Sequence, residues 1–131
     1  MISTGDIHPR LQTHIRYVQK TTKRLARTTF HQMMRYQKKL ESRQAILNRI
    51  VDIGTELLAM AASCSYADAL EKRDKGKENA VDLADLYCKT ARTRVELLFR
   101  ENRQNFDTEG AAVSRGLLEG KYLWMEEGII K

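Results

Sequence analysis

The sequence is short of the residues that interrupt helices: 131 positions hold one proline and seven glycines. That scarcity argues against turn-rich sheet architectures and against glycine- or proline-driven disorder. Aromatic residues make up 7%, and Tyr17, Phe30 and Tyr36 are spaced for a helix interior or its flank, not as a base-stacking platform. The only cysteines are Cys64 and Cys88. With no Cys-x-x-Cys pair and no histidine at metal-ligand spacing, they are expected as buried thiols. No apolar run reaches the roughly eighteen residues that span a bilayer. The start, "MISTGDIHPR", lacks a basic-then-apolar leader pattern, so a cytoplasmic location is expected. There is no Gly-x-Gly-x-x-Gly, Walker loop, Gly-x-Ser-x-Gly or His-Glu-x-x-His. No catalytic, cofactor-binding or metal-ligating residue is therefore assigned to this chain.

What is present is a globular composition, 42% hydrophobic and 31% charged. One domain of this size buries roughly two thirds of the surface its unfolded chain exposes. The net charge of +6 is unevenly placed: residues 1–40 hold nine Lys/Arg against one acid, Asp6, while the remainder is slightly acidic. A basic element thus precedes a near-neutral body.

The apolar spacing predicts helices over about 8–40, 42–72, 79–105 and 108–119. Pro9 suits a first helical turn. After it Leu11, Ile15, Val18, Thr22, Leu25, Thr29, Met33, Tyr36 and Leu40 recur every three or four residues, one stripe on one face. In the second helix, apolar residues from Ile46 to Leu70 cover more than one face, which predicts the most buried element. Asn79 and Asp82 read as a capping pair for the third helix. There Val81, Ala84, Cys88, Ala91, Val95, Leu98 and Asn102 keep a bundle-seam alternation. The fold class expected is all-α: an antiparallel bundle of three long helices plus a short C-terminal helix, in a single domain.

Two polar features need an explanation. Arg49, Asp52 and Glu56 lie within two turns of an apolar helix. Metal binding there would require Glu-x-x-His pairs on facing helices, and His8, His14 and His31 all lie elsewhere. A structural polar cluster is the better reading, in which losing one partner costs about 3–5 kcal/mol; on that basis Asp52→Ala should lower the melting temperature. On the first helix, Arg16, Lys20, Lys23, Arg24 and Arg27 fall off the apolar stripe and form a candidate basic interaction face. It could be solvated, meet an acidic partner, lie on an anionic membrane surface or contact nucleic acid. No helix-turn-helix or zinc pattern favours the last.

Three segments, "KRLARTTFHQMMRYQKKLESRQAILNRIVDIGTELLAMAASCSYA", "DLADLYCKTARTRV" and "GKYLWMEEGI", carry a family likeness. From about His8 to Ile129 the chain resembles the C-terminal helical extension of acyl-CoA dehydrogenases of the very-long-chain type, large bacterial members especially. Arg49, Asp52, Glu56, Ala59, Met60 and Ala61 fall on that family's "L-x-R-x-x-D-I-x-x-E-L-x-A-M-A" pattern; Tyr66 follows Ser65 where members usually carry arginine. The resemblance implies a non-catalytic domain packed on a flavoenzyme body. Such a body uses FAD to oxidise long acyl-CoA thioesters to trans-2-enoyl-CoA in fatty-acid β-oxidation. Its catalytic glutamate and flavin site have no counterpart positions here. The implied partners are the catalytic core, a second copy and, peripherally, an anionic membrane. A contrasting expectation is an independent basic bundle binding nucleic acid or anionic lipid by charge.

Overall fold

The computed structural model describes residues 7–36, 40–73 and 79–130, which form five helices and no strand. They are α1 (Pro9–Arg35), α2 (Leu40–Arg73), α3 (Asn79–Arg103), α4 (Asp107–Leu118) and α5 (Leu123–Ile130). The three long helices fulfil the expected fold class. One boundary moves inward: α1 stops at Arg35, where the Tyr36 N–H donates to the Gln32 carbonyl at 3.0 Å, and residues 37–39 of the predicted stretch lie outside the described residues. α5 is an addition to the four helices expected.

α1 starts where proline allows. Pro9 occupies its first turn, and the His8 ring nitrogen Nδ1 accepts from the Arg10 N–H at 3.2 Å. The His8 N–H donates to Asp68 Oδ1 at 2.9 Å, which pins the beginning of α1 to the end of α2. Between α1 and α3, side chains join His14 to Asp85, Tyr17 to Glu96 and Gln32 to Asn102. This nearly constant sequence offset means that α1 and α3 run parallel, with α2 returning antiparallel to both.

The core lies between these three helices. Leu11 and Ile15 from α1, Ile53, Leu57, Met60, Cys64 and Ala67 from α2, and Val81, Ala84, Cys88, Ala91, Val95 and Phe99 from α3 form one buried cluster with Ile7. The α3 seam thus forms as its spacing predicts, with Phe99 added and Leu98 packed at its edge. On α1 the stripe needs correcting at Thr22, which is exposed and whose hydroxyl donates back to the Val18 carbonyl at 2.7 Å. Thr21 and His14 take the buried positions instead. At α3, Asn79 is the first helical residue and Asp82 accepts from Arg10 of α1. Its acid ties α3 to α1, and the residues before Asn79 lie outside the described residues.

α2 departs most from expectation. Only one of its faces is buried within the chain, and Leu47, Val51 and Leu58 on another face are exposed. α4 packs against α2 alone among the well-contacted pairs, and neither α4 nor α5 adds a residue to the buried apolar cluster. Gly120, at φ 82°, ends α4 in the left-handed conformation that glycine adopts without a Cβ penalty. The Lys121 N–H then closes on the Gly116 carbonyl at 2.9 Å, as in a helix C-terminal cap.

Candidate interaction surface

The three residues expected as one polar cluster are divided between two sites and solvent. Arg49 reaches forward to the first residue of α4, where both guanidinium Nη groups donate to the Asp107 carboxylate, one of them at 2.8 Å. Both side chains are mostly buried, at 17% and 15% exposed. The Asp107 hydrogen bond raises the Arg49 pKa further. Glu56 instead faces α3: Arg94 grips it through Nε at 3.1 Å and Nη2 at 2.9 Å, and the Tyr87 hydroxyl donates to it at 3.2 Å. The Arg94 hydrogen bond lowers the Glu56 pKa. Asp52 is exposed and makes no hydrogen bond or ion pair among the described residues. At about 100° per residue the three side chains leave α2 within an arc of about 60°, and Asp52, at its outer edge, is the exposed one.

The basic face also changes membership. Arg16, Lys20, Lys23 and Arg27 are exposed, as a solvent-facing row requires. Arg24 leaves that row. Its Nη1 donates to both Glu96 oxygens at 3.0 Å, and its guanidinium lies 3.9 Å from the centre of the Phe99 ring. Arg24 is thus a bridge between α1 and α3.

A third polar site was not anticipated. His14, 2% exposed, donates from Nε2 to Asp85 Oδ1 at 2.8 Å. Lys89 at 3.0 Å and Arg10 at 3.3 Å complete the charge around Asp85. The hydrogen bonds from His14 and Lys89 hold the Asp85 carboxyl down at about 2. The signal was available in the spacing: His14 sits three residues after Leu11, on the edge of the stripe.

Inside, His14 Nδ1 and Ser65 Oγ are buried without a hydrogen-bond partner among the described residues, and outside the chain shows water many large apolar side chains. Phe106, Leu118 and Trp124 are 82%, 89% and 67% exposed, and Leu117, Leu123 and Met125 join them. On the outer face of α3, Leu83, Leu86 and Leu97 are exposed at heptad-like spacing. A recess of about 430 Å³ between α2 and α4, lined by Ala45, Phe106, Ala111 and Leu118 among others, adds concavity to the C-terminal patch. No helix among the described residues is long and apolar enough to cross a membrane.

A three-helix core with exposed apolar side chains outside it and a thinly packed helix pair defines an all-helical domain. The family model described as "ACAD9/ACADV, C-terminal domain" matches residues 9–117, and the chain belongs to that family. It is 43% identical over 121 residues, 92% of its length, to proteins named probable acyl-CoA dehydrogenase FadE10 in Mycobacterium tuberculosis and Mycobacterium bovis. The matched stretch is 19% of those relatives' length, so the chain spans about a fifth of the proteins it resembles. No solved structure matches it.

Proposed function

We propose that this chain is a non-catalytic helical domain that docks on the catalytic body of an FAD-dependent acyl-CoA dehydrogenase of fatty-acid β-oxidation. Supporting oligomerisation is part of the same proposed role. The flavin and the catalytic carboxylate belong to the body, and no step of the reaction is assigned here.

The observation that carries the proposal is the apolar exterior of α4 and α5. Side chains such as Phe106, Leu118 and Trp124 lie outside a core that is complete without them. Large apolar side chains exposed in this number near one end of the chain are what a protein contact would cover. The test is co-elution of the purified chain with a separately produced catalytic body at low and high salt. Docking through apolar surface persists at high salt and is lost in Leu118→Asp.

The exposed row Arg16, Lys20, Lys23 and Arg27 favours a second reading, an independent basic bundle held on anionic lipid or nucleic acid by charge. Under that reading binding falls steeply with salt. Leu118→Asp then binds normally while reversing Lys20 and Lys23 abolishes the interaction.

A further inference from the structure

Cys64 on α2 and Cys88 on α3 face each other in the middle of the core, Sγ to Sγ 3.4 Å, and both are fully buried. Three of their buried neighbours along the two seams are alanine, while Met60 lies one turn before Cys64. Ala67 follows Cys64 by one turn, and Ala84 and Ala91 bracket Cys88, all of them buried. Small side chains let the two backbones come close, which puts sulfur against sulfur where larger side chains would hold the helices apart. The Cys88 S–H also lies 3.9 Å from the Met60 carbonyl, a second acceptor beside the Cys64 sulfur. A disulfide measures about 2.05 Å, so bond formation requires the sulfurs, now 3.4 Å apart, to close by roughly 1.4 Å.

We propose that Cys64 and Cys88 are a modification site: a reversible disulfide, made by a hydroperoxide or a small-molecule disulfide, that fastens α2 to α3. With hydrogen peroxide, the Cys64 thiolate attacks one oxygen, the O–O bond breaks, and a sulfenic acid and hydroxide result. The Cys88 sulfur then attacks the Cys64 sulfur, the S–O bond breaks, and the oxygen leaves as water with the Cys88 proton. In sum two thiols and one peroxide become one disulfide and two waters. The hydrogen bond from Cys88 lowers the Cys64 pKa, and that contact together with burial raises Cys88, which makes Cys64 the attacking sulfur. Burial makes the reaction slow, because the oxidant gains entry only when α2 and α3 open locally. In a reducing compartment the bond is transient.

The test treats the full chain with hydrogen peroxide and, separately, with oxidised glutathione, in native buffer and in urea just below the unfolding midpoint. The expected result is loss of two hydrogens in the intact mass, thiols blocked to alkylation, and a peptide linking Cys64 to Cys88. Closing this loop restricts the unfolded chain, so the melting temperature should rise on the order of 10 °C and fall back with dithiothreitol. Cys64→Ser and Cys88→Ser should each abolish both effects; if a serine variant fails to fold, the alanine variant replaces it. Sulfinic acids, mixed disulfides with glutathione, intermolecular dimers or unreacted thiols in both solvents would each overturn the proposal. So would a linked protein that melts no higher than the reduced one.

Discussion

Residues 7–103 and residues 107–130 draw on similar apolar side chains and use them differently. In the first region Leu11, Ile53, Met60 and Val95 are fully buried between three helices. In the second, Leu118 and Trp124 stand in water, and the bonds across to the bundle are few. Apolar content alone therefore does not build a core. A stripe must continue long enough, at three-four spacing, to meet a facing stripe, and α4 and α5, with 12 and 8 residues, are too short to provide one. The bundle closes its apolar core within the described residues, whereas the C-terminal pair leaves its large apolar side chains exposed.

The largest expected effect tests that contrast directly. Met60→Ala removes a fully buried side chain and should cost about 2–5 kcal/mol in urea unfolding. Leu118→Ala, at 89% exposure, should change the stability of the chain by no more than about 0.5 kcal/mol. If Leu118→Ala destabilised the chain as much as Met60→Ala, the two regions would share one core and the division would fail.

The next effect concerns the tie between the regions. Arg49→Ala leaves the Asp107 carboxylate without its cation at the start of α4, which should cost about 2–3 kcal/mol. Hydrogen exchange should locate the loss: amides of 107–118 lose protection while those of 79–103 keep theirs. Equal loss in both segments would mean that α4 folds as part of the bundle.

The long-helix architecture was legible because each long helix repeats its signal many times. Val81 to Asn102 alternates regularly, and that seam is the one buried. The partner of Arg49 was not legible. Sequence spacing offers Asp52 one turn away, while Asp107, which takes the contact, is 58 residues distant and reached only through the return of the chain. The exposure of Leu47, Val51 and Leu58 was hidden for a related reason: a helix apolar on several faces looks the same whether its partners lie in this chain or in another. α5 was missed because eight residues give scarcely two turns of pattern.

A smaller effect reports on the bundle alone. Asp85 titrates at about 2 in the folded chain, below the roughly 3.9 of an unfolded aspartate. Its stabilisation is therefore complete above about pH 5 and is lost as the pH falls through 3.9 towards 2. Asp85→Asn should cost about 1–2 kcal/mol at neutral pH and flatten the acid limb of the stability curve. The exchange protection of α4, which makes no hydrogen bond or ion pair with His14, Arg10 or Lys89 among the described residues, should not follow that limb. An α4 that lost protection in step with it would be coupled to the bundle more tightly than the Arg49 contact explains.

The smallest effect separates the two acids that a pattern-based reading treats alike. Glu56 is clamped by Arg94 and Tyr87, and Asp52, four residues earlier on the same helix, is exposed. Asp52→Ala should leave the urea midpoint within about 0.5 kcal/mol of the parent, contrary to the loss that a shared cluster would require. Its interest lies in the complex with a catalytic body. If Asp52 is at the interface, the variant weakens co-elution while the stability of the free chain is unchanged, because an exposed acid contributes only where a partner supplies the cation. If neither quantity moves, the acid is a solvated surface residue. If free-chain stability falls by several kcal/mol, Arg49, Asp52 and Glu56 act as one cluster after all.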